Sequence, residues 1–183
     1  LGFIHKTFSF TNQREIIVEE FTAGDEITVS AWVENRQPHI LMVTDRPLLD
    51  VEPHLGTPDG HIFPSRYLHS HYSLIKKVTD QVVDAFNIAM GPVYLQMIIN
   101  KTAISVIEVA CRIGGGHEEE LIPLVTGIDL LDIFIERSIG RDADLGRIFD
   151  YDLLKNEKKA MVKFLIAQQG HASLDELVNE EWI

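Results

Sequence analysis

Two oxygen-bearing side chains interrupt an otherwise apolar strand pair near the middle of this sequence. VYLQMII (93–99) and AISVIEVACR (103–112) are strand-like runs joined through Asn100, Lys101 and Thr102, which reads as a hairpin. With a three-residue loop, Ile99 faces Ala103 and Gln96 faces Val106. Gln96, Val106, Glu108 and Ala110 then share one face, and Arg112 continues it. Glu108 lies diagonally from Gln96, roughly 7–8 Å away between Cα atoms, within reach of a common ion. Mg2+ takes oxygen ligands and is usually shared between protein and phosphate. An arginine can hold an anionic group bidentately. The same residues admit a plainer reading, in which Glu108 and Arg112 pair at a sheet end. A register slip of one would move Gln96 to the other face.

Gly114-Gly115-Gly116 leaves that second strand directly. Three glycines let backbone approach a ligand closely, and successive N–H groups can form an anion nest; a flexible turn is the alternative. Glu19, Glu20 and Glu26 are carboxylates flanking the turn Ala23-Gly24-Asp25. Strand-end charges of this kind are commonly just solvated, but Glu26 opens a strand immediately after the glycine. His54, His61, His69, His71 and His117 show no His-x-x-x-His spacing, so a histidine zinc site is not expected.

The elements that must position these residues read as follows. EIIVEEF (15–21), EITVSAWVEN (26–35) and HILMVTD (39–45) look like three strands of an antiparallel meander. Residues 46–67 hold four of the seven prolines and read as a long irregular loop, of the kind that is functional or mobile. Helical spacing runs over 68–88, over about 129–138 and over 157–168, and Ser173-x-x-Glu176 forms a capping box. Strands with separated helices imply an α+β fold with an antiparallel sheet flanked by helices. The chain has 183 residues, 45% of them hydrophobic, so a sizeable core can be buried. A net charge of −12 argues against nucleic acid and against an anionic membrane as partners. No apolar run is long enough to span a bilayer, and no basic stretch leading into an apolar run opens the chain. Cys111 is the single cysteine, so no disulfide framework exists. A cytoplasmic location fits these features best.

Three segments together resemble the ATP-grasp superfamily. VEEFTAGDE (18–26) resembles its hinge, GPVYLQMIINKTAISVIEVACRIGGG (91–116) its metal-binding hairpin, and TGIDLLDIFIERSIG (126–140) the helix that closes the domain. The resemblance runs over roughly residues 15–170, and it is nearest to amino-acid ligases and carbamoyl-phosphate synthetase-like carboxylate ligases. It implies an α+β C-terminal subdomain of an ATP-grasp domain, with ATP and Mg2+ (or Mn2+) as cofactors. Glu19 would accept from the adenine amino group, backbone of Glu20 and Thr22 would line the adenine, and Glu26 would bind the ribose hydroxyls. Gln96 and Glu108 would be the metal ligands. Arg112 would contact the γ-phosphate or acyl phosphate, and Gly114, Gly115, Gly116 and His117 would line the carboxylate substrate.

The sequence departs from the family pattern at Ala110, where a metal-binding Asn is usual. The resemblance further implies small carboxylate and amine (or thiol) substrates and an acyl phosphate. Residues 1–14 are expected to be the tail of a preceding element, 15–140 the subdomain, and 141–183 a linker and the start of a further domain. The family's phosphate-gripping lysines belong to a preceding subdomain, so this stretch alone is expected to be inactive and to self-associate as a homo-oligomer. Two other readings remain: a non-catalytic nucleotide-binding ATP-grasp module, favoured by Ala110, and a carbamoyl-phosphate synthetase large-subunit-like protein, favoured by Gln96.

Overall fold

The computed structural model describes residues 2–13, 15–49, 56–101 and 103–165. Within them, α1 (Gly2–Ser9) is followed in the order by β1 (Asp25–Glu34) and β2 (Gln37–Asp45). Then come β3 (Gly60–Phe63), α2 (Leu68–Ala85), β4 (Gly91–Ile99) and β5 (Ile104–Ala110). Three helices follow, α3 (Glu118–Thr126), α4 (Leu130–Ser138) and α5 (Gly146–Asp150), and β6 (Ala160–Lys163) closes the order. The strands form one sheet in the order β5-β4-β1-β2-β3-β6, antiparallel at every pairing.

The period-two pattern of β1 sets the core. Ile27, Val29, Ala31 and Val33 are buried on one face, and Val93, Leu95, Met97 and Ile99 join them from β4. Its turn to β2 is a two-residue hairpin loop. Asn35 and Arg36 take φ of 50° and 65°, the left-handed pair that matches strand twist. The helix α2 buries Leu68, Ile75, Thr79, Val82 and Val83, a helical stripe, and packs on β2 and β5. At the far end of the other face, Glu34 accepts from Trp32 Nε1 at 3.1 Å and from Arg137 Nη2 at 2.8 Å, which ties α4 to β1. The expected helix over 129–138 forms, with Asp129 accepting from the Asp132 N–H at 2.9 Å as its N-cap.

Four expectations are corrected. Residues 15–21 form no regular element and join no ladder, and Ile17, Val18 and Phe21 are largely exposed, so the β-branched run there does not signal a sheet strand. The 46–67 segment is not wholly irregular. It contains β3, and His61, Phe63 and Ser65 are buried, because β3 is held between β2 and β6; the part at 50–55 lies outside the described residues. The helix expected over 157–168 is instead β6 at 160–163, whose backbone pairs with β3; residues 166–168, and the Ser173–Glu176 box, lie outside the described residues. Finally, the hairpin loop spans four residues rather than three, with Ile99 paired to Ile104 and the Asn100 N–H bonded to the Ala103 carbonyl at 3.1 Å. Among the described residues no helix is long and apolar enough to cross a membrane.

The β3–β6 pairing depends on Gly60. Its φ is 152°, and a Cβ there would collide with the Val162 carbonyl oxygen. Gly60→Ala is expected to destabilise the chain by about 2 kcal/mol, from backbone strain plus displacement of β6. Urea unfolding of the variant and the parent chain measures this.

Candidate functional site

A transverse row of polar side chains crosses the sheet. Glu108 of β5 pairs with Gln96 of β4, Gln96 with Thr28 of β1, and Thr28 with Thr44 of β2. Directly opposed residues share a face. The Thr28 and Thr44 hydroxyls lie 2.6 Å apart, and Thr44 Oγ1 is 3.1 Å from Nδ1 of His61 on β3. Gln96 and Glu108 face each other more directly than the diagonal placement expected. The register shifts between Gln96 and Met97, so that Gln96 opposes Glu108 while Met97 opposes Val106, leaving Ile107 as the extra residue of a bulge.

A cavity of about 250 Å3 stands over this row. Gln96, Glu108, Arg112, Gly115 and Gly116 line it, together with Arg46, His61 and Tyr94. The structure thus brings together five of the residues singled out in the sequence. The plain ion pair also exists, but weakly: Arg112 Nη2 is 3.8 Å from Glu108 Oε1, and both side chains are about half exposed. Such a pair contributes little to stability and leaves both groups available to a ligand. Ala110 lies opposite Tyr94, whose hydroxyl accepts from Gln96 Nε2 at 3.4 Å.

The triple glycine is a packed turn. Gly114 is buried, and a Cβ on it would come 2.6 Å from Glu118 Cδ and from Tyr94 Cδ2; a Cβ on Gly116 would strike the His61 ring. Only Gly115 has open space around its Cα. Gly115 and Gly116 line the cavity, whereas Gly114 packs beneath the turn. His117 caps α3 with φ 65°, is exposed, and has Nδ1 3.5 Å from Glu120; it does not line the cavity.

Glu118 escaped sequence reading. It sits in an acidic triplet, Glu118-Glu119-Glu120, which looks like helix-dipole complementation in a first turn. Its side chain is 0% exposed, Oε2 accepts the Gly116 N–H at 2.6 Å, and Oε1 has no hydrogen-bond partner. Burial pushes its carboxyl up, with the Gly116 N–H opposing. His61 Nε2 approaches Oε1 to 3.8 Å. Burial lowers His61 to about 4, and the charges of Arg46 and His117 act in the same direction. Since His61 is neutral at neutral pH, this approach is not an ion pair.

The hinge residues surround neighbouring hollows. Glu19, Glu20 and Thr22 line a cavity of about 360 Å3 with Ile98, Ser105 and Val106. Gly24 permits this approach, since a Cβ there would come 2.5 Å from the Ile99 carbonyl oxygen. Glu26 lines a third hollow of about 570 Å3 and is paired with Arg46. Burial raises Glu26, partly offset by Arg46, and Glu108 adds a smaller upward push.

Residues 4–120 match the family model of the ATP-grasp domain. The chain belongs to the ATP-grasp family. The fold agrees with solved ATP-grasp structures. An L-amino acid ligase from Bacillus licheniformis matches with TM-score 0.67 at 18% identity, over 81% of this chain and 37% of that one. A phosphoribosylglycinamide synthetase from Anaerococcus prevotii matches with TM-score 0.68 at 22% identity, over 91% and 41%. A biotin carboxylase from Campylobacter jejuni, in complex with β-γ-ATP, matches with TM-score 0.54 at 15% identity, over 69% and 27%. This ATP-grasp chain spans about two fifths of the first two. Comparison with curated protein sequences found no match.

Among the described residues no three His, Cys, Asp or Glu side chains converge. The donor set at the row is therefore one carboxylate and one amide oxygen. That suits a hard cation that completes its shell with phosphate oxygens and water.

His61 supplies a test of the site's floor. Its folded value lies below the ordinary 6.5, so between pH 6.5 and about 4 the unfolded chain takes up a proton that the folded chain does not. Stability then falls as pH falls through that window. Comparing urea unfolding of the parent chain with His61→Gln at pH 7 and pH 4, the parent is expected to lose about 3 kcal/mol more than the variant.

Proposed function

We propose that this chain is the metal- and nucleotide-binding half of an ATP-dependent carboxylate ligase. The observation that carries the reading is the meeting of Gln96, Glu108, Arg112 and the Gly115–Gly116 backbone around one cavity, beside the hinge segment that ends at Glu26. In this reading Glu19 accepts from the adenine amino group, backbone of Glu20 and Thr22 lines the base, and Glu26 binds the ribose hydroxyls. Gln96 and Glu108 would hold Mg2+ (or Mn2+), which would supply neutralisation of phosphate charge. Arg112 binds the phosphoryl group under transfer, and the Gly115–Gly116 turn, held from inside through the Gly116 N–H on Glu118, lines the carboxylate. A carboxylate oxygen of the substrate attacks the γ-phosphorus and ADP leaves. An amine (or thiol) then attacks the acyl carbon, loses its proton, and expels inorganic phosphate. The chain's contribution is position and fixed charge, and no protein nucleophile is required.

One observation favours a second reading, a non-catalytic nucleotide-binding module: Ala110 places no side-chain oxygen opposite Tyr94. Full-length protein separates the two. Glu108→Gln keeps shape and removes a metal-neutralising charge. It is expected to lower carboxylate-dependent ADP release at least roughly 100-fold, about 2.7 kcal/mol of transition-state stabilisation. Glu26→Gln is expected mainly to raise the KM for ATP, because ribose contacts are shared by ground and transition states. ATP binding with no ADP release across a pool of amino acids and other carboxylates would instead establish the module.

A further inference from the structure

Arg46 was not singled out by the sequence, yet among the described residues it alone lines both the 250 Å3 cavity over Gln96 and Glu108 and the 570 Å3 hollow at Glu26. Its side chain is 15% exposed and pairs with Glu26, itself 9% exposed. The Arg46 N–H also bonds the Glu26 carbonyl at 2.9 Å, which fixes the end of β2 against the start of β1. The guanidinium therefore stands at the passage between the two spaces.

We propose that Arg46 is a second phosphate-binding cation of this half, beside Arg112, held on Glu26 until a nucleotide arrives. The inference rests on the nucleotide reading above. A nucleotide with its ribose at Glu26 and its metal-bridged phosphates at Gln96 and Glu108 must pass Arg46, because no other described residue borders both spaces. The passage needs a cation: Glu26 on one side and Glu108 on the other already make it negative, and a polyphosphate would add to that field. The other arginines lining these spaces are less suited. Arg66 is committed to Asp45, with Nε 2.8 Å from Oδ2, and Arg112 stands at the far end of the row, donating to the Ile113 carbonyl at 2.9 Å. Ribose hydroxyls arriving at Glu26 compete for the oxygen that Arg46 uses. Phosphate oxygens then offer Arg46 a second anionic partner in bidentate geometry. The exchange replaces one charge-assisted pair with another, so neither group is left buried and unpaired.

Calorimetric titration of the 183-residue chain with adenosine, Mg-ADP and inorganic pyrophosphate tests this. Arg46→Gln is expected to weaken Mg-ADP binding at least roughly tenfold while leaving adenosine binding unchanged or tighter, since Glu26 is freed. Glu26→Gln, which frees Arg46 instead, is expected to tighten pyrophosphate binding several-fold and weaken adenosine. If Arg46→Gln does not fold, Arg46→Lys and Glu26→Gln carry the test, with Lys giving an intermediate loss for Mg-ADP alone. Equal loss of adenosine and Mg-ADP, or no change in either, overturns the role of Arg46 while leaving the nucleotide reading standing. Failure of the parent chain to bind either adenosine or Mg-ADP overturns both.

Discussion

The register of β1, β4 and β5 is the constraint on which the site depends. It aligns Thr44, Thr28, Gln96 and Glu108 into one row and leaves the apolar residues between them to the opposite face. Because side chains alternate with period two, a slip of one residue in any pairing would turn a polar member of the row into the core and an apolar one into the cavity. That opposite face is costly to rearrange, since Ile27, Val29, Leu95 and Met97 are fully buried. The chemistry-bearing row is thus fixed by the hydrophobic core behind it.

Beneath the cavity a second device holds the backbone. The glycine turn after β5 packs so closely on Tyr94, His61 and Glu118 that no Cβ fits at Gly114 or Gly116. Glu118 grips the Gly116 N–H from inside the protein. A carboxylate with an unpartnered buried oxygen costs stability, so the turn is bought at some expense in fold energy. What it provides is a backbone whose position does not need to be organised when a ligand enters.

Much of this was legible in the sequence, and the misses have physical causes. The polar interruptions at Gln96 and Glu108 marked the row because a carboxylate and an amide stand out in two otherwise apolar runs. Their shared face survived an incorrect loop length for a specific reason. A fourth loop residue shifts the pairing by one, and the bulge at Ile107 shifts it by one again, so parity at Glu108 is restored. Neither deviation is encoded in hydrophobic periodicity. β6 read as a helix because a four-residue edge strand is too short to display period two against its flanks. Residues 15–21 read as a strand because Ile16, Ile17 and Val18 make a short β-branched run, though no described strand pairs with them. Glu118 and Arg46 were hidden by their surroundings in sequence: one within an acidic triplet, the other at a Thr-Asp-Arg-Pro turn, where charge is ordinarily solvated.

The account's central claim is that a metal–nucleotide complex binds across the Thr28–Gln96–Glu108 row. Paramagnetic relaxation measured by NMR on the isotope-labelled chain with Mn-ADP tests it most directly. The account predicts the strongest broadening at the amides of Gln96 and Glu108, falling away through Thr28 and Gly115, and its loss in Glu108→Gln. Broadening centred elsewhere, or unaffected by Glu108→Gln, would contradict it.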